Sequence, residues 1–384
     1  MEQINQFLKE AEENGLLRIL HPADYRRNGV ICIEGREYAD FSSNDYLGLS
    51  HHAYIKSASC NIIEKLGASS SASRLLSGSL TLHSELEDRT ASFKGKEAAL
   101  IFNSGYQANI GIISSLCSRG DVVFTDKLSH ASIIDGVLLS GAKLFRFLHN
   151  DAGSLESLLK THRQKFKNAL IITETVFSMD GDIAPLKDLV SIKEEYNCQI
   201  MIDEAHATGV FGDSGSGIAE KENLTDSIDL IMGTFSKALG SFGAYLACSK
   251  NIKDYLINTS RSFIYSTALP PSVIAANLAS LELIKKEPFR RRELLQKASY
   301  FRNELSSLRL TVKGSSQIIP LIVKDSRKAV KISSLLKEKG FWAPAIRPPT
   351  VPANEARIRF SLSYCHTKDV LDRLINDIYE INEF

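Results

Sequence analysis

The 384-residue chain carries almost no net charge, since 46 Lys and Arg residues oppose 45 Asp and Glu residues and leave a formal charge of +1. A chain with this balance has no overall field to attract nucleic acid or an anionic membrane, so any anionic partner must bind at a local site. The sequence also lacks paired cysteines: its six cysteines form no CxxC pair and no zinc-like grouping with histidine. We therefore expect no metal site and a reduced, cytoplasmic compartment.

Signals for export, for membrane insertion and for the commonest nucleotide-binding folds are missing as well. Charged residues interrupt the first twenty positions, where a secretory signal needs an apolar segment. Two uncharged stretches, 98–118 and 262–281, contain Asn, Gln or paired Pro residues and therefore indicate interior segments instead of membrane spans. The absence of GxGxxG, GxxxxGK[ST] and GxSxG motifs argues against a dinucleotide dehydrogenase, a P-loop NTPase and an α/β-hydrolase.

The chain does contain enough apolar material for a large core, because 43% of its residues are hydrophobic. Apolar residues at helical spacing predict an N-terminal helix that ends near Gly15. From residue 98 onward, amphipathic segments alternate with apolar, strand-like runs, which are 98–103, 121–124, 143–147, 169–174, 199–203, 228–232 and 243–247. Runs that are apolar on both faces indicate a mostly parallel sheet covered by helices.

Beyond Pro270 and Pro271 the pattern changes. It predicts a long helical region up to about residue 307, two strands near 317–323 and 357–362, and helices near 328–339 and 367–381. The sequence thus predicts an α/β fold in which a large parallel-sheet domain is followed by a smaller α+β domain. We expect an N-terminal helix and arm in 1–45, the large domain in 46–268 and the small domain in 269–384.

The clearest candidate site follows the predicted strand 199–203, which places Asp203 at its carboxyl end and His206 three residues later. Open α/β sheets bind their ligands at this edge. An ionised carboxylate there can hold a cationic ring nitrogen, such as that of a pyridinium. The alternative is that Asp203 caps the next helix and that His206 is an ordinary, partly buried histidine.

Lys237 follows the next apolar strand, in a loop of small and apolar residues. Desolvation lowers the pKa of a lysine amine and suits it to Schiff-base formation. An isolated lysine in a loop more often extends its ammonium to water. However, pyridoxal phosphate requires both a Schiff-base lysine and a carboxylate for its ring nitrogen, so Lys237 and Asp203 together favour this cofactor.

Pyridoxal phosphate also needs a phosphate-binding site. The segment 103–107 predicts one, because a strand and a small-residue turn with Gly105 and Tyr106 lead into a helix N-terminus. Further candidate donors are the hydroxyl groups of Thr234, Ser266 and Thr267. His130 follows another strand, and its imidazole is a candidate for stacking on the cofactor ring, although a lone histidine more often has only a structural role.

Five segments of the sequence resemble those of the α-oxoamine synthases. They occur in the family's order, within a resemblance that spans residues 16–366, and are 41–49, 129–132, 176–182, 203–206 and 234–237. Members of this family are fold-type I pyridoxal phosphate enzymes, usually homodimers with the active site at the subunit interface. They decarboxylate an amino acid while joining it to an acyl thioester. The resemblance implies the same fold, cofactor, assembly and reaction here.

The resemblance also implies roles for single residues. Lys237 would carry the Schiff base and then act as the general base for the α-proton of the amino acid. Asp203 would hold the ring nitrogen and His206 the phenolic oxygen. His130 would stack on the ring, contact the substrate and assist proton transfer. The other implied cofactor residues are Gly105, Tyr106, Ser178, Thr234 and Thr267, the last reaching the phosphate in the partner subunit.

Two sets of substrate residues are implied in the same way. Arg359, with Asn44 nearby, would bind the amino-acid carboxylate, and Arg18, Arg347 and Thr350 would contact the acyl substrate. The segment 345–352 most resembles the biotin-pathway member of the family, because glycine-using relatives generally lack an arginine at the position of Arg347.

That member condenses L-alanine with a pimeloyl thioester, whose distal carboxylate an arginine is well shaped to hold. Coenzyme A and acyl carrier protein both remain open as carriers of the pimeloyl group. Arg347 has the alternative interpretation of a surface arginine beside a Pro-Pro turn. Two other functions also remain open: a sister synthase that uses glycine or serine, and a non-catalytic subunit with the same fold.

One departure from the family lies in residues 68–73, where Ser and Ala replace the usual glycines. It predicts an altered loop geometry and, through it, an altered preference for the acyl donor. The run of Arg290, Arg291 and Arg292 is a candidate basic patch for an acidic carrier, although a solvated helix face is the simpler interpretation.

Overall fold

The computed structural model describes residues 2–381, and Met1 and residues 382–384, which belong to the predicted terminal domains, lie outside the described residues. The helices, in chain order, are α1 (Glu2–Glu13), α2 (Ala53–Leu66), α3 (Thr81–Lys94), α4 (Gly105–Leu116), α5 (Ala131–Ser140), α6 (Ala152–His162), α7 (Leu186–Glu195), α8 (Ile218–Lys221), α9 (Lys250–Thr259), α10 (Arg261–Ile264), α11 (Pro271–Lys286), α12 (Phe289–Ser307), α13 (Ser326–Glu338) and α14 (Lys368–Ile381). The strands are β1 (Tyr25–Arg27), β2 (Val30–Ile33), β3 (Arg36–Asp40), β4 (Ala98–Phe102), β5 (Val122–Asp126), β6 (Lys143–Phe147), β7 (Ala169–Glu174), β8 (Gln199–Asp203), β9 (Leu230–Thr234), β10 (Ala244–Cys248), β11 (Ile318–Lys324), β12 (Phe341–Trp342), β13 (Ala345–Ile346) and β14 (Ala356–Ser361).

The chain forms two compact units. The large unit consists of residues 49–177 and 183–291, and the small unit of the described residues up to 48, residues 178–182 and those from 292 onward. These units differ from the predicted domains near residue 268, because α11 packs against α2 and α3 and so joins the large unit. Pro270 and Pro271, which suggested a boundary, are the N-cap and the first residue of α11. A proline at the first helical position removes no helical hydrogen bond.

A seven-stranded sheet in the order β4-β10-β9-β8-β7-β5-β6 forms the centre of the large unit. Its strands run parallel except for β10, which is antiparallel to both neighbours. All residues of β4, β5, β7, β9 and β10 are buried, as expected for a sheet with helices on both faces. The predicted mostly parallel sheet is confirmed, and it brings the carboxyl ends of β7, β8 and β9 to one edge.

The small unit contains two sheets. The first is antiparallel, in the order β11-β14-β13. The second has the order β1-β2-β3-β12, in which β12 pairs parallel to β3 through Phe341–Ala39 and Trp342–Asp40. The sequence did not predict this second sheet, because its strands have at most five residues and because β12 is about 300 residues away from β3 in the chain. The predicted N-terminal helix is present as α1, and Gly15 follows it with a φ of +65°.

A fully buried ion pair lies directly beside the predicted site. The Lys94 ammonium at the end of α3 pairs with the Glu204 carboxylate, and both side chains have an exposed fraction of 0%. Glu204 Oε1 also accepts a hydrogen bond from the Ala219 amide at 2.9 Å, and the Lys94 ammonium donates to the Ser216 carbonyl. Burial is the largest single effect and lowers the pKa of Lys94, but the charge and hydrogen bond of Glu204, together with those of Tyr245, raise it overall. The pair therefore fixes the backbone immediately after Asp203.

The Lys94→Met variant would leave the Glu204 carboxylate buried without a cation. We expect it to lower the free energy of unfolding by about 3–5 kcal/mol, measured by urea denaturation followed by circular dichroism. The double variant Lys94→Met, Glu204→Gln should lose less, because it buries no uncompensated charge. A double variant as unstable as the single one would contradict this account.

Candidate active site

Lys237 and His206 meet at the edge of the large sheet. The Lys237 Nζ atom lies 2.8 Å from His206 Nε2. Lys237 is half-buried in the loop after β9, and His206 is buried in the turn after β8. The two predicted residues are therefore brought into direct contact, as a Schiff-base lysine with a neighbouring proton acceptor requires.

Asp203, at the end of β8, is a buried carboxylate with only neutral partners. Its exposed fraction is 6%. Oδ1 accepts a hydrogen bond from the Ala205 amide at 2.9 Å, and Oδ2 accepts one from Asn109 Nδ2 at 3.1 Å. Among residues 2–381, no Lys, Arg or His side chain forms an ion pair with it. The capping alternative fails, because the bond to Ala205 closes a turn and no helix begins there. A carboxylate in this state suits the protonated ring nitrogen of pyridoxal phosphate.

Asn109 is a site residue that the sequence analysis missed. It lies on α4, has an exposed fraction of 1%, and its Nδ2 donates to both Asp203 Oδ2 and Ser132 Oγ, the latter at 2.9 Å. Its Oδ1 has no hydrogen-bond partner among the described atoms. Such an unsatisfied buried acceptor is typical of a site that a ligand completes. The available signal was an amide among the apolar residues that form the buried face of α4, such as Ala108 and Ile112.

His130 begins α5 and connects to the same network. Its backbone amide donates to Glu174 Oε1 at 2.7 Å, and its Nδ1 accepts from the Ser132 amide at 3.2 Å. An accepting Nδ1 assigns the ring proton of the neutral imidazole to Nε2. Burial lowers the pKa of His130, so the neutral form prevails at neutral pH. The residue nevertheless has exposed surface, which leaves the ring accessible for stacking.

The predicted phosphate site is the N-terminus of α4. Ser104 caps this twelve-residue helix and accepts from the Gln107 amide at 3.2 Å. The amides of Gly105 and Tyr106 have no intrahelical acceptor, because they belong to the first turn. Two such amides at the positive end of a helix suit a phosphate dianion.

The other candidate donors to the phosphate are hydroxyl groups of the same unit. Thr234 Oγ1 donates to the Gly243 carbonyl at 2.7 Å and lies 2.6 Å from Ser236 Oγ. Ser236 lies in the Lys237 loop and was not singled out as a site residue. Thr267 is exposed, and its carbonyl accepts from Asn103 Nδ2 at 2.8 Å. Ser266, beside it, is half-buried.

In the small unit, Arg359 and Asn44 come together as predicted. Arg359 Nη2 lies 3.4 Å from both Asn44 Oδ1 and Tyr46 Oη, and its Nε donates to the Ser178 carbonyl at 2.6 Å. Arg359 has an exposed fraction of 7%. None of the carboxylates in the described part of the chain pairs with it. A buried guanidinium with neutral partners retains its capacity to bind a carboxylate.

The neighbouring arginine, Arg357, is already committed to ion pairs. Its Nη1 binds Asp180 Oδ1 and its Nη2 binds Glu355 Oε2, both at 2.9 Å. The alternation of side chains along β14 places both arginines on the same face, so sequence spacing did not distinguish them. The partners of the two arginines distinguish them, because Arg357 pairs with carboxylates and Arg359 does not. The structural role therefore belongs to Arg357.

Arg18, Arg347 and Thr350 also come together in the small unit. Arg18 Nη2 donates to Thr350 Oγ1 at 2.9 Å. The Arg347 guanidinium donates to the carbonyls of Gly15 and Leu17. All three predicted acyl-substrate residues line one cavity of 570 Å³. Arg347 is half-buried and bonded to the chain, so the alternative of a surface arginine is wrong.

One further expectation, that for the run 290–292, is corrected. Arg291 is buried and donates to the Ile284 carbonyl at 2.9 Å, and Arg290 pairs with Glu287 at 2.5 Å. Only Arg292 of that run is exposed, so it forms neither a basic patch nor a solvated face. In the segment 68–73, Ser71 adopts a φ of +56°, a left-handed conformation that favours glycine.

Residues 2–381 contain no group of three or more His, Cys, Asp and Glu side chains arranged to hold a metal ion. None of the helices in this range combines the length and the apolar character of a membrane span.

The sequence and the structure both match known proteins. The family model "Aminotransferase class I and II" matches residues 36–378. The 8-amino-7-oxononanoate synthase of Geobacter sulfurreducens is 47% identical over 371 residues, which cover 96% of this chain and 95% of that protein. The solved 8-amino-7-oxononanoate synthase of Francisella tularensis superimposes with a TM-score of 0.78 at 31% identity, covering 90% of this chain and 97% of that one.

Serine palmitoyltransferases have a very similar structure. The enzyme of Sphingomonas wittichii superimposes with a TM-score of 0.93 at 29% identity, covering 99% of this chain and 96% of that one. A serine palmitoyltransferase solved with pyridoxal phosphate gives the same TM-score at 28% identity. The predicted fold-type I architecture and the predicted cofactor are thereby confirmed.

The family match covers most of the chain, and the buried carboxylate, the lysine and the helix N-terminus of the large unit fit pyridoxal phosphate. The predicted resemblance to the α-oxoamine synthases is confirmed at high identity over nearly the full length. The chain is therefore a pyridoxal phosphate enzyme of the class I and II aminotransferase family, and within that family it belongs to the 8-amino-7-oxononanoate synthases.

Proposed function

We propose that the enzyme condenses L-alanine with a pimeloyl thioester to give 8-amino-7-oxononanoate, carbon dioxide and the free thiol carrier, as a step of biotin biosynthesis. The observation that carries this proposal is the 47% identity to a synthase of that name over 96% of the chain. The contact between Lys237 and His206, beside the buried Asp203, supports it independently.

Apart from Ser178, the residues that would hold the cofactor belong to the large unit. Asp203 would pair with the ring nitrogen, His206 would bond the phenolic oxygen, and His130 would stack on the ring. The amides of Gly105 and Tyr106 would bind the phosphate, together with the hydroxyl groups of Thr234 and of Thr267 from the partner subunit. Ser178 would contact the cofactor as well. Bound there, pyridoxal phosphate supplies a Schiff base and an electron sink for the carbanion at the amino-acid α-carbon.

The chain's own residues would move the protons. Lys237 Nζ, as a free amine, would take the alanine α-proton as general base. The contact with His206 Nε2 keeps this amine in place. His130, neutral with its proton on Nε2, stands as a donor for the oxygen that develops negative charge. The new carbon–carbon bond would join the alanine α-carbon to the thioester carbonyl, and the thiol would leave with the α-proton that Lys237 took. The alanine carboxyl would then leave as carbon dioxide, and a proton from solvent would take its place on the α-carbon.

Residues of the small unit would select the substrates. Arg359, with Asn44, would bind the alanine carboxylate, because Arg359 is buried among neutral partners. Arg18, Arg347 and Thr350 would surround the acyl group, since all three line one cavity. The acyl carrier in this proposal is coenzyme A or acyl carrier protein, which present the same thioester.

The proposal includes a homodimer in the cytoplasm. The large unit exposes an unusual set of large apolar side chains, which are Leu75, Leu76, Tyr106, Leu138, Leu139, Phe242 and Tyr265. Exposed apolar side chains in such number favour a protein partner. Six free cysteines support a reducing compartment.

A second candidate function uses serine in place of alanine. The TM-score of 0.93 to a serine palmitoyltransferase, against 0.78 to a solved 8-amino-7-oxononanoate synthase, favours it. Sequence identity reverses this order, at 29% against 31%, and reaches 47% for the Geobacter sulfurreducens relative. Side-chain identity decides substrate choice more directly than backbone superposition, so alanine remains the primary proposal.

A product analysis tests the function. The loaded enzyme is incubated with pimeloyl-CoA and equimolar alanine, glycine and serine, and the products are separated by mass spectrometry. We expect the decarboxylated alanine adduct to dominate, because the proposed substrate is alanine. A dominant serine or glycine adduct would move the enzyme to a sister function, and the absence of any adduct with pimeloyl-CoA and with pimeloyl-acyl carrier protein would reject the proposal.

The Lys237→Ala variant removes the proposed Schiff-base amine and general base together. We expect turnover to fall by roughly 10³-fold or more. Borohydride reduction should no longer attach the cofactor to the chain, as measured by intact mass. The exposed Lys250→Ala variant is the matched control and should keep both properties. Retained turnover in Lys237→Ala would rule out the assigned role.

Arg359 and Arg357 provide a matched pair on β14. We expect Arg359→Lys to raise the KM for alanine by about ten-fold or more, because a lysine cannot bind a carboxylate through two parallel hydrogen bonds. Arg357→Lys should leave that KM nearly unchanged and instead lower the free energy of unfolding by roughly 1–3 kcal/mol, since it weakens a buried ion pair. Steady-state kinetics and urea denaturation separate the two effects, and a reversed pattern would exchange the roles.

A further inference from the structure

The acyl-substrate cavity of the small unit has a charge pattern that goes beyond the predicted residues. Its described lining contains three cationic side chains, those of Arg18, Lys337 and Arg347, and no Asp or Glu. The apolar part of the lining is large and includes Leu16, Leu17, Val330, Phe341, Trp342 and Ile346. A cavity with apolar walls and an excess of positive charge suits an apolar chain that ends in an anion.

The Arg347 guanidinium is already hydrogen-bonded to the backbone. Two of its nitrogen atoms donate to the carbonyls of Gly15 and Leu17. Burial, followed by the nearby charge of Arg18, lowers the pKa of Arg347. Arg347 therefore holds the backbone of residues 15–17 against the cavity and acts as a positioning residue. Arg18, for its part, donates to Thr350 Oγ1 at 2.9 Å.

Lys337 differs from both arginines, because its ammonium has no hydrogen bond and no ion pair among residues 2–381. Its Nζ lies 5.4 Å from the ring centroid of Trp342 and 6.0 Å from that of Tyr38. These aromatic faces stabilise the cation. They leave all three ammonium protons available to a carboxylate.

Lys339, two residues later, shows the opposite situation. Its ammonium binds Asp377 Oδ1 at 2.7 Å and Glu380 Oε2 at 2.8 Å. It does not line the cavity. The two lysines thus share a helix end, and only Lys337 brings an uncompensated charge to the cavity.

We infer that the Lys337 ammonium binds the distal carboxylate of the acyl group and makes the enzyme prefer a dicarboxylic acyl thioester over a monocarboxylic one of equal length. This inference rests on the proposed function, which supplies the acyl group. The apolar walls accept the methylene chain, and a carboxylate desolvated there needs a cation with free donors. Lys337 would then act together with Arg18, while Arg347 shapes the wall.

Lys337 also lies in the last turn of α13, where a cation stabilises the helix through the helix dipole. That interaction stabilises the helix equally with every acyl donor. A difference between acyl donors is therefore the readout that a merely structural lysine would not change.

The kinetic test compares pimeloyl-CoA with heptanoyl-CoA, which has the same chain length and no distal carboxylate. For Lys337→Met we expect kcat/KM with pimeloyl-CoA to fall about ten-fold or more, mainly through KM, and kcat/KM with heptanoyl-CoA to stay within about two-fold. Lys337→Arg should restore much of the preference, and Lys339→Met is the matched control that should keep it. An equal fall with both donors, or no change with either, would overturn the inference.

A binding test makes the result independent of turnover. Trp342 is the only tryptophan of the chain and lines the cavity beside Lys337, so its fluorescence reports occupancy. In the holoenzyme we expect pimelate to give a saturable change at concentrations about ten-fold lower than heptanoate, and Lys337→Met to abolish this difference. Equal titrations by the two acids in the natural enzyme would refute the role of Lys337, whereas inactivity with both pimeloyl-CoA and pimeloyl-acyl carrier protein would refute only the proposed function.

Discussion

A carboxylate buried without a cation is the constraint on which the large unit depends. Asp203 is 6% exposed and receives hydrogen bonds only from Ala205 and Asn109. Desolvating an ionised carboxylate costs several kcal/mol unless a cation compensates it. In the proposed function this cation is the protonated ring nitrogen of pyridoxal phosphate, which Asp203 would hold. Cofactor binding at Asp203 would then compensate the buried carboxylate and would stabilise the fold by mass action.

The same logic distinguishes residues that spacing alone makes equivalent. Arg357 and Arg359 are two residues apart on one strand, as Lys337 and Lys339 are at one helix end. In each pair one cation is neutralised by carboxylates of the chain, and the other retains neutral surroundings. The neutralised members contribute stability, whereas the uncompensated members are available for ligands. The positions of the counter-charges thus distinguish the residues that stabilise the fold from the residues that are available for ligands.

Much of the large unit was predictable from local sequence. The bounds of β6, β7 and β8 agree with the prediction to the residue. For β7 and β8, whose residues are buried except for Gln199, the reason is that parallel strands buried on both faces are apolar runs with polar ends. Asp203, His206 and Lys237 were predictable for the same reason, since each follows such a run. The contact between Lys237 and His206 follows from the sheet order, which brings the carboxyl ends of β8 and β9 together.

Other features depended on partners distant in the sequence. Asn109 and Ser132 occupy helix positions that look like ordinary polar interruptions, and only the fold shows that they connect His130 to Asp203. Arg347 donates hydrogen bonds to the carbonyls of Gly15 and Leu17, more than 300 residues earlier in the chain. No local sequence pattern predicts these bonds. The boundary near residue 268 failed because a proline pair is as compatible with a helix start as with a linker.

The pairing of β12 with β3 has a consequence for biosynthesis. Residues 39 and 40 are made early, whereas their partners, residues 341 and 342, are made about 300 residues later. During that interval the β1–β3 meander has an open edge, which is a site for unwanted strand pairing. Most of the large unit can form meanwhile, since it lies almost entirely between residues 49 and 291. The open edge of the meander is thus covered only after the residues of the large unit have been made, about 300 residues of elongation after residue 40.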